Sequence, residues 1–349
     1  ETFAERLRDG GYQTGYFGKW HLGTGPYGPA GQGWQEVLET KGNVVPADVA
    51  PTDAGRRTAE LLTERAIQFI MQCGANNPFV LQVSHHAVHI PLSTTPELLA
   101  KYARKAEQSA SVPSSPAYAG LLEELDASVG TITACIDRLG LAQRTLIVFL
   151  SDNGGLVHEQ SGRVVTSNAP LRGEKGTLYE GGIRVPAIFR WTGRIPAGIR
   201  CDQPATTHDV FPTLLELAGV QRPDGQRPAV DGISLVPLLT DPAQPLPRTS
   251  LYWHLPHYHH STPASALRRG DWKLLEFFET GALELYHLGD DIGEQHDLAA
   301  REPEQVQALH TELIAWRERV NARLPMPNPA YDPDRAQQLG DGQPRRRTR

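Results

Sequence analysis

Thr145-Leu-Ile-Val-Phe-Leu150 runs straight into Ser151-Asp152-Asn153-Gly154-Gly155. Successive apolar residues leave no polar pleat face, so the first stretch reads as a strand buried on both sides. Such strands belong to parallel sheets, and in open α/β sheets ligands bind at the carboxyl ends of the strands. Working outward, Leu61, Leu62, Ala66, Phe69 and Ile70 fall at helical spacing and predict a helix over 58–73. A strand follows over 79–83, a long amphipathic helix over 118–139, a strand over 185–190 and a helix over 207–218 closed by Gly219. Near the start, a short helix stopped by Gly10-Gly11 precedes a strand over 12–17. Strand alternating with helix predicts an α/β body: a mostly parallel sheet sandwiched by helices.

Asp241-Pro-Ala-Gln-Pro-Leu-Pro247 breaks this pattern. Short strands over 250–254, 265–267, 272–278 and 283–288 come next, then an amphipathic helix over 303–320. That order predicts a small antiparallel α+β subdomain. The expected division is 1–245 for the α/β body, 246–324 for the subdomain and 325–349 for a disordered tail rich in Pro, Asp, Gln and Arg.

The chain has 349 residues, of which 39% are hydrophobic and 21% charged, enough for a sizeable core. Its net charge of -6 offers no electrostatic footprint for nucleic acid. No apolar run approaches the roughly 18 residues of a membrane helix. Three cysteines exclude a disulfide scaffold. The first residue is Glu1, inside a helical pattern, and no signal-peptide pattern precedes it. N-terminal sequence is therefore expected to be missing.

Chemistry gathers at three strand ends: Lys19 and His21 after the first, His85, His86 and His89 after the second, Asp152 and Asn153 after the third. Lys19 and His21 alternate along an extended segment, which turns both to one face. Lysine supplies a point charge for an anion, and histidine exchanges protons near neutral pH. The histidine run lacks the helical spacing of a zinc site, and Pro91 argues against a helix. One of its histidines is read as a proton donor and the other two as structural. Asp152 and Asn153 offer oxygen only, which suits Ca²⁺ or Mg²⁺ rather than Zn²⁺, although Asp-Asn-Gly-Gly is also a good turn. A fourth segment, Leu171 to Pro186, places Lys175 between Gly173 and Gly176 as an anion contact. Arg172 and Arg184 serve the same purpose or pair with Glu174 or Glu180.

Five motifs in order carry a family resemblance. Gly11-Tyr-Gln-Thr-Gly-Tyr-Phe-Gly-Lys-Trp-His-Leu-Gly23 closely resembles the second signature of the type I sulfatases. Leu150-Ser-Asp-Asn-Gly-Gly155 is similar to their metal-binding motif, and Leu171 to Pro186 to their lysine-bearing loop. Thr206 to Gly219 and Val230 to Leu235 resemble the segments that follow. The resemblance implies the alkaline-phosphatase-like fold and hydrolysis of sulfate esters with one Ca²⁺. It implies Asp152 and Asn153 as metal ligands, Lys19 and Lys175 as sulfate contacts, His21 as partner of the nucleophile and His89, with His86 as the alternative, as proton donor to the leaving oxygen. It also implies a periplasmic or secreted protein. His254 and His257, in an aromatic and histidine-rich stretch, are expected at the substrate pocket, with a carbohydrate or aryl sulfate as substrate.

The family nucleophile is a formylglycine made by dedicated machinery from Cys in Cys-x-Pro-Ser-Arg. Cys73, Cys135 and Cys201 lie in other contexts, and the family's Asp-Asp metal pair is also absent. Both are expected upstream of Glu1. The alternatives are a non-catalytic binder of sulfated glycans and a phosphoester hydrolase of the same superfamily.

Overall fold

The computed structural model describes residues 1–48, 51–108, 115–157, 159–160, 163–220 and 231–332. The chain packs as two compact units, one of residues 1–148 and 188–246, the other of 149–187 and 247–349.

In the first unit, helix α1 (Phe3–Asp9) opens with a capping box. The Glu5 amide donates to Thr2 Oγ1, and the Thr2 amide donates to the Glu5 carboxylate at 2.7 Å. Strand β1 (Gln13–Gly18) lies between β2 (Glu36–Glu39) and β3 (Phe79–Ser84), parallel to both. Helix α2 (Thr58–Cys73) spans the residues that its periodicity predicts. Its Leu62, Ala66, Phe69 and Cys73 pack on Phe17, Leu81 and Val83 of the sheet. Each fully buried large side chain in that layer contributes about 1.5–3 kcal/mol. Helix α3 (Pro96–Glu107), capped by Thr95, has no buried residue. Helix α4 (Pro116–Arg138) packs Cys135 and Ile136 against Ile70 and Leu141.

Strand β4 (Ile147–Leu150) is half-buried along its whole length rather than buried on both faces. Among the described residues its one strand neighbour is β7 (Ala187–Arg190), which leaves part of its surface open. Between them in sequence lie a minimal hairpin of β5 (Glu159–Gln160) and β6 (Arg163–Val164) and a one-turn helix, α5 (Glu180–Ile183), the helix within the lysine-bearing segment read as a loop. Helix α6 (Val210–Ala218) follows a 3₁₀ turn capped by Thr206 and Asp209, and ends at Gly219 in the left-handed conformation. Helix α7 (Val236–Thr240) completes the first unit, whereas the β5–β6 hairpin and α5 belong to the second.

In the second unit, β8 (Ser250–Leu255), β9 (Ala264–Arg269), β10 (Trp272–Phe277) and β11 (Ala282–His287) form an antiparallel sheet in sequential order. Helix α8 (Pro303–Arg319) covers one face, where Leu309 and Leu313 meet Leu267, Leu274 and Leu285. The other face packs Ala264, Ala266, Leu275 and Tyr286 against Leu178, Tyr179 and Ile183. The 172–184 segment is thereby laid on the sheet. Residues 325–332 are exposed and form no helix or strand, and 333–349 of the expected tail lie outside the described residues.

Candidate active site

The first unit holds Lys19, His21 and the histidine run. Strands β1 and β3 are parallel neighbours with Gly18 opposite Ser84, so Lys19 and His85 emerge side by side. The Lys19 amide donates to Ser84 O at 2.9 Å, continuing the ladder past the strand. Gly18 has φ 125°, and a Cβ there would stand 2.0 Å from Ser84 O, so only glycine permits this approach. Tyr16 donates its hydroxyl to Lys19 O, and burial pushes that phenol up from its ordinary pKa. The extended alternation expected of Lys19 and His21 breaks at His21, which has φ 61° and is exposed. A left-handed non-glycine residue is uncommon and concentrates at functional sites. Trp20 holds this turn: its indole N–H donates to Tyr27 O at 2.8 Å, and its ring packs edge-on against Tyr16.

The three histidines differ. His85 Nε2 meets Ser128 Oγ at 3.2 Å, and that hydroxyl meets Thr63 Oγ1. Burial depresses the His85 pKa to about 4, so this imidazole is neutral at pH 7 and structural in setting. The His86 and His89 rings meet at a tilt of 60°, 5.2 Å between centroids. Burial also lowers the His86 pKa, a hydrogen bond to Ile90 O opposes it, and the charges of His89 and Lys19 add to the lowering. His89 is exposed and uses Nδ1 on Ile90 O at 2.7 Å, which leaves Nε2 directed elsewhere. A residue that sequence reading missed fixes this loop. Buried Asn43 donates to His89 O at 2.9 Å and Pro91 O at 3.1 Å. Nothing in Lys41-Gly-Asn43 announces a partner 46 residues away.

The second unit holds Asp152, Asn153 and Lys175. Asp152 is exposed at the strand end, and the Asn153 amide donates to Gly154 O at 2.9 Å, which leaves its Oδ1 to accept. Both side chains thus present oxygen, the donor that a hard cation takes. Among the described residues no group of three or more His, Cys, Asp or Glu gathers as a metal site. The pair fits a Ca²⁺ ion as two ligands of a shell that requires about 6–8.

The lysine loop is tied to this pair through backbone. The Gly154 amide donates to Gly182 O at 2.9 Å and the Lys175 amide to Gly155 O at 3.3 Å. Asn168 joins the strands of the loop, donating to Gly155 O at 2.8 Å and Gly173 O at 3.0 Å. Of the two arginines left open by the sequence, Arg184 pairs with Glu180 at 3.5 Å. Arg172 donates to Tyr286 Oη and Glu294 O and stacks 4.0 Å over the Tyr179 ring. Both guanidinium groups have protein partners, whereas no ion pair engages Lys175 among the described residues.

His254 uses both ring nitrogens, on Ser265 Oγ at 2.7 Å and Arg323 O at 2.8 Å, and its edge meets Phe278. His257 is exposed. The histidines placed against the lysine loop are the next two. His259 lies where a Gly176 Cβ would be, and His260 is 3.8 Å from Glu174. Burial, the charge of His260 and the Lys175 ammonium, in that order, lower the His259 pKa. Cys73 and Cys135 are buried in helix packing, and exposed Cys201 points its thiol at Pro242 O.

Comparison with known proteins identifies the family. The sulfatase family model matches residues 1–220, and that of the N-sulphoglucosamine sulphohydrolase C-terminal region matches 173–319. A sulfatase of Formosa agariphila is 35% identical over 271 residues, covering 71% of this chain and 48% of its own length. Human arylsulfatase A is 31% identical, covering 88% of this chain and 69% of its own. The chain spans about half the length, or less, of several curated relatives that it matches. Among solved structures, that of Ps i-CgsB in complex with k-i-k-neocarrahexaose superposes with a TM-score of 0.77 at 26% identity, covering 90% of this chain and 73% of the other. The parallel sheet and antiparallel subdomain are those of the alkaline-phosphatase-like fold. The chain belongs to the sulfatase family.

Proposed function

We propose that this chain contributes the downstream part of a sulfatase active site and that the whole protein hydrolyses sulfate esters. The observation that carries the reading is the set of unspent groups at strand ends. Lys19 follows β1 and His89 lies in the loop after β3, its parallel neighbour in one unit, while in the other the Asp152–Asn153 turn and the Lys175 loop are joined through backbone hydrogen bonds. Two ammonium groups suit an anionic ester, a histidine suits proton donation to the leaving oxygen, and His21 suits proton exchange with the nucleophile. Asp152 and Asn153 would hold a Ca²⁺ ion, which supplies positive charge against the sulfate oxygens.

The nucleophile is a formylglycine from sequence outside these 349 residues, made by the family's modifying machinery. The three cysteines support this, since two are core residues and none lies in the required motif. A sulfated carbohydrate is the favoured substrate, because a structural neighbour was solved with k-i-k-neocarrahexaose and His259 and His260 lie against the loop that carries Lys175. Periplasmic or extracellular placement goes with that substrate. Among the described residues no helix is long and apolar enough to cross a membrane.

The test uses the full-length protein, with formylglycine verified by mass spectrometry, on aryl sulfate, sulfated oligosaccharides and aryl phosphate. Turnover of a sulfate ester that disappears in chelator and returns with Ca²⁺ is expected. Turnover of phosphate alone, or of neither, refutes the reading.

A further inference from the structure

The second unit contains a buried charge cluster that the proposed chemistry does not use. Lys273, on β10, is 0% exposed. It lies 2.9 Å from Glu180 Oε1 and 2.8 Å from Glu294 Oε1, with those residues 2% and 0% exposed. Glu294 also accepts the Glu180 amide on Oε2 at 2.7 Å and takes φ 51° to do so. Its carbonyl accepts from Arg172 at 3.0 Å, and Arg172 O accepts from the Gly181 amide at 2.7 Å. The contacts close a ring: Lys273, Glu180, Gly181, Arg172, Glu294 and back to Lys273. Arg184 and Arg268 approach Glu180 from outside at 3.5 and 3.9 Å.

Helix α5 is one turn long and cannot hold itself in place. Both elements of the half-site hang from it. Arg172 is the root of the lysine loop, and Gly182 O takes the amide of Gly154, next to Asp152-Asn153. A buried ion cluster is weak evidence for stability, since apolar residues of like volume do as well, but it selects one geometry because every charge must find its partner.

We propose that Lys273 is a positioning residue: through Glu180 and Glu294 it sets where Lys175 and the Asp152–Asn153 pair stand relative to each other. This rests on the sulfatase reading for its catalytic consequence but not for its structural one. An error of about 1 Å in a catalytic group costs on the order of 10²-fold in rate. Lys273→Met keeps the length and removes the charge.

The experiment compares full-length wild type, Lys273→Met, Glu294→Gln, Lys175→Ala and the Lys273→Met/Lys175→Ala double variant. Amide exchange across 150–184, melting temperature, kcat and KM on a sulfate ester are read at a temperature where each is folded. For Lys273→Met, exchange at Gly154 and Gly181 should accelerate at least about 10-fold with the α2 amides unchanged, and kcat should fall about 10–100-fold with a smaller change in KM. In the double variant, Lys175→Ala should cost less than it does alone, because the two act as a unit. Glu294→Gln should move the same readouts in the same direction by about 3–10-fold, and it decides the matter if Lys273→Met does not fold. Unchanged exchange at Gly154 and Gly181, or a lower melting temperature with unchanged kcat and additive variants, overturns the proposal. If wild type turns over no sulfate ester, the sulfatase reading falls, and the exchange measurement still decides whether Lys273 sets this segment.

Discussion

Replacing Gly154 with alanine adds one methyl group where two backbones touch. The new Cβ would stand 1.8 Å from Gly181 O and 2.8 Å from its carbonyl carbon. A carbon–oxygen contact needs about 3.3 Å, so Gly181 must retreat by about 1.5 Å. That movement stretches the 2.9 Å hydrogen bond from the Gly154 amide to Gly182 O beyond bonding range. Overpacking of this kind costs about 1–3 kcal/mol, and the lost hydrogen bond adds about 0.5–1.5 kcal/mol. Alanine returns about 0.4–1 kcal/mol by restricting the unfolded chain. The net loss is about 2–3 kcal/mol, or a fall in Tm of about 4–12 °C. Gly130 provides the opposite case. It lies within α4, and a Cβ added there would have no atom within 4 Å, so the same substitution should stabilise by about 0.5–1 kcal/mol. Thermal unfolding by calorimetry on wild type and both variants measures the pair. A Gly154→Ala protein melting within about 1 °C of wild type would refute the packing argument. Sulfate-ester turnover should fall with it, since Asp152 and Asn153 precede the displaced residue.

In the full-length enzyme, Lys175→Ala should lower kcat by about 10²–10³, whereas Arg184→Ala, paired with Glu180 at 3.5 Å but 42% exposed, should cost at most about 1 kcal/mol of stability and little rate. Steady-state kinetics and melting curves on both check this, and the reverse pattern would exchange their roles. Arg57→Ala should destabilise by about 3–5 kcal/mol in urea titrations, because it leaves Glu124, bound at 2.7 Å and 10% exposed, without its cation. A loss below about 1 kcal/mol would mean that the pair is solvated. His85 has a folded-state pKa near 4, below its ordinary 6.5, so its contribution is full above pH 6.5 and is lost as pH falls toward 4. A His85→Gln protein should show a flatter dependence of Tm on pH across that window, and parallel curves would contradict the burial of this ring.

Local chemistry was legible in the residues themselves. Helices α2 and α1 follow from spacing and end signals, and the run of short strands over 250–288 announces an antiparallel sheet. The clustering of Lys19, the histidines and Asp152-Asn153 behind apolar runs identifies them as candidates, because strand ends are where such groups become available. The individual settings depend on neighbours far along the chain. His85 differs from His86 through Ser128, 43 residues on, and Asn43 meets His89 at a separation of 46. Lys273 reads as one charge in an apolar strand until Glu180 and Glu294 reach it, the first across 93 residues. Arg184, left open between anion contact and ion pair, is decided by the one-turn helix that places it four residues after Glu180. Periodicity and capping act within a few residues, so a sequence displays them directly. Burial and ion pairing arise from which segments the fold brings together, and that is settled only when the sheet and its covering loop are assembled.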